Sequence, residues 1–393
     1  MAYENDTVQA DPVTDWINDW DWLDPQWGTD AIDIWNAVRE VTPMAMTERY
    51  GRAFMPVTME AVSAIAKDTD NFSSEWVSVA QPDAIRRPAP PITSNPPEHQ
   101  GHRRLLLPSF SPKQIEPMEE ELREYARGLI AQLDGRDTAD AAAEYSQHIP
   151  VHGLAQMIGV PETDADVFRD WIYRNFQLAP RDNRIREQVN ADMRAYFGDL
   201  LDARAAEPKD DLATLVANAE IDGEPIDREL QLGYLLLLIL AGIDTTWSAI
   251  GSGLWHLGTH PDDLARLKGK PFDDPIWLTM SEEVLRYYAP VTMGRRVVGD
   301  TEISGCPVHA GDQVLVTFPA ANHDPEVFER ADEFLIDREV NRHVAFGLGV
   351  HRCLGSNLAR LEMKVAFQEW CSAFPDYRID ESKETTWTSG QIR

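Results

Sequence analysis

The residues best suited to chemistry in this 393-residue sequence cluster around one cysteine near the C-terminus. Cys353 lies in the stretch 346–362, FGLGVHRCLGSNLARLE, between glycines and just before a helical pattern of leucines. Glycine lets a backbone turn with positive φ or approach a flat ligand closely. A cysteine at a helix N-terminus meets unpaired N–H groups and the positive end of the helix dipole, and both favour the metal-binding thiolate. The spacing therefore indicates a metal-binding cysteine in a turn shaped around a planar ligand.

A structural role is the alternative for Cys353, because a lone cysteine is most often a small buried residue and a lone Gly-x-Gly is most often a turn. Turn chemistry does not require a phenylalanine, a histidine and a glutamate at fixed separations, yet all three are present. The pattern F-G-x-G-x-H-x-C-x-G-x-x-L-A-x-x-E resembles the haem-ligating signature of the cytochrome P-450 superfamily. The resemblance implies that Cys353 is the proximal ligand of the iron in haem b. The other haem contacts that it implies here are Phe346, Gly347, His351 and Gly355.

A second candidate for chemistry lies inside a long apolar segment. The motif AGIDTT, residues 241–246, places one carboxylate and two hydroxyls there. Unpaired in a buried helix, such groups cost several kcal/mol, so they should have partners or water. A polar kink that satisfies its own groups is the structural alternative. The motif resembles A/G-G-x-D/E-T-T/S of the same superfamily, in which Thr245 would position the water that delivers protons to dioxygen, Asp244 would link it to solvent, and Ala241 would contact the haem.

The helix that carries this motif is predicted from its cap and its composition. Asp227 is a good N-cap, and the segment should stay helical to about His256, which is roughly 45 Å at 1.5 Å per residue. The run 235–240 is apolar on all sides, as in a fully buried helix. The glycine and hydroxyls of AGIDTT favour a local opening of the helical hydrogen bonds.

A histidine and an arginine at helical spacing form a candidate anion site near residue 100. Asn95 is the predicted N-cap and Pro96 the first helical residue, so that His99 and Arg103 fall four apart on one face. A solvated charged face is the alternative. In the superfamily this helix offers a histidine and an arginine to a haem propionate, and the resemblance assigns that role to His99 and Arg103.

The stretch from residue 282 to residue 296 supplies further candidates. Glu283 and Arg286 share a helix face as an ion pair, which is a weak signal on its own. By resemblance they are the structural E-x-x-R pair beneath the haem, with Arg338 as a third partner. Arg295, preferred to Arg296 on its distance from Arg286, is expected to contact the second propionate. The residues expected to line the substrate pocket are Val291, Thr292 and Met293.

The absence of linkers and repeats predicts a single domain over residues 1–393, in which residues 1–35 form an acidic, tryptophan-rich arm, and the resemblance implies that it is a haem-binding monooxygenase domain. The tryptophans are expected to hold this arm against the protein, with docking of a partner as the alternative. The resemblance implies the mainly α P-450 fold with a smaller β region, formed from the N-terminal third and the segment after Arg286. The proline-rich loop 75–93 is expected to be irregular, and the resemblance implies that it covers the substrate pocket.

Composition excludes several classes of function. Three scattered cysteines are too few for a disulfide framework or a Cys-x-x-Cys zinc site, which suits a reducing cytoplasm. The longest apolar run, 232–243, is shorter than the roughly 20 residues that span a bilayer, and we find no signal peptide. A formal net charge of −30 argues against nucleic acid as a partner. We therefore expect a cytoplasmic protein without a membrane or nucleic-acid partner.

The resemblance implies a soluble, bacterial-type haem-thiolate monooxygenase. It would insert one oxygen atom of dioxygen into an apolar or aromatic small molecule, by hydroxylation or oxidative dealkylation. Electrons would come from NAD(P)H through a ferredoxin and ferredoxin reductase, or through a fused reductase. The alternatives are a peroxide-driven haem-thiolate peroxygenase, whose members generally replace the acid–threonine pair, and a non-enzymatic haem sensor or carrier.

A local reversal of charge predicts where an electron donor docks. Around the cysteine turn, one carboxylate, Glu362, stands against four cations, in a chain whose net charge is −30. The cations are Arg342, Arg352, Arg360 and Lys364. An acidic ferredoxin would be steered to such a patch. An ordinary solvated helix face is the alternative.

Overall fold

Helices form the larger part of this computed structural model, which describes residues 11–80, 87–180 and 182–392. The first ten helices are α1 (Pro25–Thr29), α2 (Ala31–Val41), α3 (Met59–Lys67), α4 (Glu98–Leu106), α5 (Pro112–Ile115), α6 (Glu119–Ala131), α7 (His148–Ile158), α8 (Ala165–Tyr173), α9 (Asn183–Ala206) and α10 (Leu212–Ala217). They are followed by α11 (Arg228–Gly242), α12 (Asp244–Thr259), α13 (Pro261–Leu267), α14 (Ile276–Tyr287), α15 (Phe318–Asn322) and α16 (Ser356–Ala373). The predicted fold class is confirmed.

The strands form one five-stranded sheet and two small hairpins. They are β1 (Met44–Thr47), β2 (Ala53–Pro56), β3 (Phe72–Ser73), β4 (Glu220–Ile221), β5 (Glu224–Pro225), β6 (Met293–Val297), β7 (Thr301–Ile303), β8 (Cys306–Val308) and β9 (Gln313–Val316). The sheet has the order β1-β2-β9-β6-β3, and its β2–β9 pairing is parallel. It joins strands from the N-terminal third to strands that follow Arg286, as predicted.

The central helix is interrupted inside the AGIDTT motif. The side chain of Asp227 accepts a hydrogen bond from the N–H of Leu230 at 2.8 Å, so the predicted N-cap is confirmed. The single helix predicted from the sequence is in fact two, because α11 ends at Gly242, α12 begins at Asp244, and Ile243 between them has φ −95° and ψ −64°. The predicted local opening is thus confirmed, and the second helix runs past His256 to Thr259.

The segment from Arg228 to Thr259 is long and apolar enough to cross a membrane by composition alone. However, 56% of its apolar window is buried inside the protein, where α11 and α12 contact α7, α9 and α16. The core helix of a folded domain passes the same test of length and composition, and these contacts account for its apolar surface.

The tryptophan-rich segment packs into a hydrophobic cluster of its own. Trp20, Trp22, Trp27 and Trp35 are at most 6% exposed and pack together with Tyr50 against the five-stranded sheet. Tryptophan buries a large apolar area per residue, so this acidic segment is anchored despite its charge. The expectation that the tryptophans hold the segment against the protein is confirmed for residues 11–35, whereas residues 1–10 lie outside the described residues.

The start of α4 differs from the prediction. The helix begins at Glu98 with Pro97 as its N-cap, so Asn95 does not cap it. Instead, the Asn95 side chain accepts a hydrogen bond from the N–H of Ser74 at 2.9 Å and donates one to Ser73 Oγ at 2.8 Å. A side chain suited to capping thus ties the end of the proline-rich loop to β3. That loop is irregular over residues 75–80 and 87–93, as predicted, and residues 81–86 lie outside the described part.

Candidate active site

Cys353 lies in a tight turn at the N-terminal end of α16. Its N–H donates a hydrogen bond to the carbonyl oxygen of Phe346 at 2.7 Å. Gly347 and Gly349 have φ of 69° and 68°, a region that L side chains rarely adopt. A Cβ on Gly349 would also lie 2.9 Å from the carbonyl oxygen of Ala66. The predicted glycine turn is therefore present, and α3 packs closely against it.

The electrostatic surroundings of the Cys353 thiol act in both directions. Burial is the largest effect and raises the pKa of the thiol. A hydrogen bond from the N–H of Gly355 and the charges of Arg103, Arg352 and Arg360 lower it. The helix terminus, with its N–H groups, is therefore only one part of the environment of the thiol. A bound metal ion would supply the positive charge that fully deprotonates a coordinating thiol.

Four basic side chains that are distant in sequence converge beside this turn, and we call them the open cationic cluster. They are His99 and Arg103 of α4, Arg295 of β6, and His351. The rings of His99 and His351 lie 4.4 Å apart between centroids. Desolvation, followed by the charges of Arg295, His99 and Arg103, lowers the pKa of His351 to about 3. No carboxylate of the described residues pairs with any member, so the cluster is suited to an anionic ligand.

The buried nitrogen atoms of this cluster confirm that it is incomplete within the described part of the chain. Nε2 of His99 and Nε2 of His351 are buried without a hydrogen-bond partner. Arg295 is 5% exposed, and desolvation lowers its pKa to about 10. Its guanidinium donates to the carbonyl oxygen of Gly294 at 2.7 Å and has no acidic partner among the described residues. Since buried charges normally have partners, these residues fit the carboxylates of haem b.

Arg295 and Arg296, the two alternatives for the second propionate, lie in different environments. Successive side chains of a strand leave opposite faces, so only one of them can face the open cationic cluster. The guanidinium of Arg296 lies 5.0 Å from the ring centroid of Trp76 and donates to the carbonyl oxygen of Gly311 at 3.0 Å. It is Arg295 whose charge acts on His351.

One exposed alanine marks an interior space along α11. Ala241 is exposed although it lies in the buried central helix, and Leu237 and Thr245, four residues before and after it, are half-buried. Residues spaced by four share one face of a helix. This face therefore borders an open interior space suited to a flat cofactor and a small molecule.

The side chains of Asp244 and Thr245 differ in whether the described protein supplies their hydrogen-bond partners. Thr245 Oγ1 donates to the carbonyl oxygen of Ala241 at 2.9 Å, so this hydroxyl forms the self-satisfied kink that the sequence left open. Asp244 is 5% exposed, and its Oδ2 has no hydrogen-bond partner among the described residues. Burial raises the pKa of Asp244 from 3.8 to about 7. A carboxyl group with that pKa can both give and take a proton near neutral pH.

Glu362, whose charge was counted in the predicted docking patch, is in fact buried. It is 1% exposed, and burial raises its pKa well above the ordinary value, which the nearby Thr246 side chain lowers only in part. A Cβ on Gly153 would lie 2.6 Å from its Oε1, which shows how closely α7 and α12 enclose it. Its place among buried residues at helical spacing, beside Leu361 and Val365, is the signal that could have found it.

The predicted positive patch is smaller than its charge count suggested. Arg360 pairs with Glu282 at 2.6 Å, and Lys364 pairs with Glu119 at 2.7 Å. Carboxylates from α14 and α6 thus neutralise two of its cations. The remaining two, Arg342 and Arg352, are exposed and have no acidic partner among the described residues.

The predicted E-x-x-R pair forms what we call the closed charge cluster. Arg286 and Glu283 have fully buried side chains and pair at 2.8 Å. Arg338 Nε lies 3.0 Å from the Glu283 carboxylate, as the third partner expected from the sequence. Arg286 also donates hydrogen bonds of 2.7–2.9 Å to the carbonyl oxygens of Asn322, Ala331 and Glu333. The protein itself therefore satisfies both charges of the pair.

The pocket candidates lie beside the C-terminal segment. The N–H of Thr292 donates to the carbonyl oxygen of Gln391 at 3.0 Å, and Val291 and Met293 flank it at the start of β6. The side chain of Gln391 donates to the carbonyl oxygen of Val77 at 2.9 Å. Gln391 thus joins the pocket candidates to the proline-rich loop, a role that sequence reasoning missed because it depends on tertiary packing.

Comparisons with known proteins agree with this geometry. A sequence profile described as Cytochrome P450 matches residues 279–375. Cytochrome P450 126 of Mycobacterium tuberculosis is 37% identical over 306 residues, which are 74% of this chain and 72% of the relative. Mycinamicin IV hydroxylase/epoxidase of Micromonospora griseorubida is 30% identical over 307 residues, 77% and 76% of the two chains. A mutant of P450 EryK in complex with erythromycin B has a TM-score of 0.83 at 29% identity, covering 93% and 94%.

Proposed function

This chain belongs to the cytochrome P450 family and is a monooxygenase with haem b as cofactor and dioxygen as co-substrate, and from that premise we propose how its own residues carry out the reaction. We propose a single cytoplasmic domain that oxidises an apolar or aromatic small organic molecule by hydroxylation or oxidative dealkylation. A non-enzymatic haem sensor or carrier, one of the alternatives, does not agree with this membership.

The observation that carries the proposal is the open cationic cluster. Four basic groups without a carboxylate partner suit the two propionates of haem b, with His99, Arg103 and His351 near one and Arg295 near the other. Cys353 would bind the iron from one side, with Phe346, Gly347 and Gly355 shaping the turn. The haem would then lie between that turn and the exposed Ala241.

Haem b, when bound, supplies the oxidising chemistry, and the protein supplies ligand, protons and pocket. One oxygen atom of dioxygen enters the substrate and the other leaves as water, which requires two electrons and two protons. Asp244 would take protons from solvent, since its raised pKa of about 7 lets it exchange them near neutral pH. The hydroxyl of Thr245, now bonded to Ala241, would turn to hold the water that passes them to dioxygen. Val291, Thr292 and Met293 would line the substrate side of this space.

The electron donor is proposed to be a ferredoxin reduced by NAD(P)H through a ferredoxin reductase. Arg342 precedes the cysteine turn and Arg352 lies within it, and both are exposed, so a donor that approaches the haem from the cysteine side would meet them. An acidic ferredoxin would meet a positive surface there in a chain of net charge −30. A fused reductase could deliver electrons to the same face.

The reduced carbon monoxide spectrum tests the haem-thiolate assignment. The wild-type protein should show the red-shifted band of thiolate ligation, and Cys353→Ser should lose it. Cys306→Ser, a half-buried cysteine in β8, is the matched control and should keep it. Retention of the band in Cys353→Ser would show that another residue binds the iron.

Turnover separates the monooxygenase from the peroxide-driven alternative. NADH with a ferredoxin and its reductase should support product formation at the rate of oxygen consumption. Product formed with hydrogen peroxide alone, and none with the ferredoxin system, would assign the chain to the peroxygenase alternative.

A further inference from the structure

Arg360 of α16 extends over an aromatic residue of the cysteine turn. The central carbon of its guanidinium lies 4.5 Å from the ring centroid of Phe346. At that distance a cation is attracted to the face of an aromatic ring. The carbonyl oxygen of Phe346 in turn accepts the hydrogen bond from the N–H of Cys353. Arg360 therefore contacts a residue that is bonded directly to the cysteine, and it places a positive charge beside the turn.

A carboxylate of α14 holds this cation and compensates its charge. Glu282 accepts hydrogen bonds from Nε and from one terminal nitrogen of Arg360, at 2.6 and 2.9 Å. Two parallel hydrogen bonds fix the plane of a guanidinium as well as its position. The side chains of Arg360 and Glu282 are 29% and 19% exposed, so solvent screens the pair only in part. Glu282 thus orients the cation over Phe346 and opposes its charge.

His343 completes the surroundings of the Glu282 carboxylate. Its Nδ1 accepts a hydrogen bond from the N–H of Ala345 at 3.2 Å, so the proton of the neutral ring lies on Nε2. This Nε2 lies 3.0 Å from Oε2 of Glu282 and donates to it. Burial raises the pKa of Glu282, but the hydrogen bonds from Arg360 and His343 outweigh burial and lower it to about 2. Glu282 therefore stays ionised near neutral pH.

A second ion pair on α16 offers a comparison. Lys364 lies one helical turn further from Cys353 than Arg360 does, and its Nζ pairs with Glu119 of α6 at 2.7 Å. Both cations belong to the same helix, and each has a carboxylate partner. Arg360 contacts the ring of Phe346, whereas Lys364 extends toward α6. The two pairs therefore differ in their position relative to the cysteine turn.

Building on the proposed haem-thiolate site, we propose that Glu282 keeps the reduction potential of the bound haem low, by fixing Arg360 over Phe346 and compensating its charge. One electron from the donor converts ferric into ferrous haem and adds one negative charge beside the turn. An uncompensated cation at Arg360 would favour that added charge and raise the potential. Glu282 and Arg360 act through the turn, so they are positioning residues.

Potentiometric titration of the holoenzyme tests this assignment. Glu282→Gln should favour ferrous haem by about 3- to 10-fold, a rise of about 30–60 mV at 59 mV per tenfold for one electron. Arg360→Gln should lower the potential by a similar amount, because the carboxylate remains and the cation is lost. The double variant Glu282→Gln, Arg360→Gln should return the potential close to that of the wild type. Arg360→Lys, which keeps the charge, should lower it less than Arg360→Gln.

Glu119→Gln is the matched control, because it removes the carboxylate partner of Lys364 on the same helix. It should leave the potential unchanged. The proposal is overturned if Glu282→Gln does not raise the potential, or if Glu119→Gln raises it equally. These two variants decide the outcome even if Arg360→Gln does not take up haem. The reduced carbon monoxide band reports separately on the haem-thiolate function, since its absence from the wild type would contradict that assignment and not the effect of Glu282 on the potential.

Discussion

The closed and open clusters bury similar side chains in opposite conditions. In the closed cluster, Glu283 neutralises Arg286 and Arg338, and backbone carbonyls accept the remaining hydrogen bonds of Arg286. In the open cluster, Arg295 and His99 are also buried and their neighbours Arg103 and His351 are half-buried, but no described carboxylate neutralises them. The type and the burial of the central residue do not distinguish the two clusters, because Arg286 and Arg295 are both buried arginines. The difference is whether the protein supplies the partners, and this indicates which cluster holds the fold and which one waits for a ligand.

The largest effect is expected on the free energy of unfolding, when the central carboxylate of the closed cluster is removed. Glu283→Gln would leave Arg286 and Arg338 buried without compensation, and breaking a buried pair in this way costs about 3–5 kcal/mol. The free energy of unfolding, measured by urea denaturation, should fall by this amount in the apoprotein and in the holoprotein. Glu333→Gln, which changes an exposed carboxylate paired with Arg330, is the control and should hardly change this free energy. Equal stability of both variants would mean that the closed cluster does not hold the fold.

Asp244 extends the comparison to a buried acid without a partner. Its pKa is raised from 3.8 to about 7, so the folded protein binds this proton more tightly than the unfolded chain. The resulting contribution to stability is complete below pH 3.8 and is lost as the pH rises through 7. Asp244→Asn removes this dependence. Its unfolding free energy relative to the wild type should therefore rise by about 2–3 kcal/mol between pH 5 and pH 8. Oxygen consumption should be slower, because an amide cannot pass a proton.

Thr245→Ala is the matched variant, since the protein already satisfies the Thr245 hydroxyl through Ala241. It should leave the pH dependence of stability unchanged. Haem and substrate binding should also persist, while reducing equivalents are diverted to hydrogen peroxide. An unchanged ratio of product to peroxide in Thr245→Ala, together with an unchanged rate in Asp244→Asn, would place the proton path elsewhere.

Arg295→Gln tests the open cluster directly. It removes a buried charge that has no acidic partner among the described residues, so the apoprotein should be as stable as the wild type or more stable. Haem should leave about 10- to 150-fold faster, the equivalent of about 1.5–3 kcal/mol for a lost hydrogen bond to a charged group. Transfer of haem to apomyoglobin measures this rate. Arg296→Gln, which removes a charge from the other face of β6, should not change it. If Arg295→Gln destabilises the apoprotein as Glu283→Gln does, the open cluster also stabilises the fold and the distinction between the two clusters is wrong.

Local spacing in the sequence placed His99 with Arg103 and Glu283 with Arg286, whereas the other members of the two clusters followed from the family resemblance. His99 and Arg103 share a face because residues four apart do so on any helix, and the glycine turn fixes Cys353 through backbone geometry alone. The two segments that form the β region followed from family resemblance. What the sequence could not predict was which polar groups meet across the fold. Asn95 satisfies β3 instead of a helix end, because tertiary contacts compete with capping.

Charge counting failed for the same reason at the predicted docking patch. A count along the chain treats Glu362 as a surface charge and Lys364 as a free one. Folding buries Glu362 beside Thr246 and brings Glu119 of α6 to Lys364. The helical spacing of buried positions in α16 was the signal in the sequence for the burial of Glu362. The second depends on a helix more than two hundred residues earlier.

The smallest effect is expected at the protein surface, where a cation without an acidic partner can be compared with a paired one through the apparent KM for ferredoxin. Arg352 is exposed and has no acidic partner among the described residues, whereas Lys364 is paired with Glu119 at 2.7 Å. If ferredoxin docks on the cysteine side, the free cation should steer it, because the charge of Lys364 is already compensated. Arg352→Gln should raise the apparent KM for ferredoxin about 1.4-fold to fivefold, as expected for an exposed pair contributing about 0.2–1 kcal/mol.

Lys364→Gln should change that KM much less, and substrate binding should be unaffected in both variants. Raising the salt concentration should reduce the difference between Arg352→Gln and the wild type, since exposed charges are screened over about 8 Å at physiological ionic strength. Stopped-flow reduction rates give the measurement. Rates that respond to neither variant nor to salt would mean that electrons enter at another face or from a fused reductase. A larger loss in Lys364→Gln than in Arg352→Gln would mean that pairing within the protein does not decide which surface cations act on a partner.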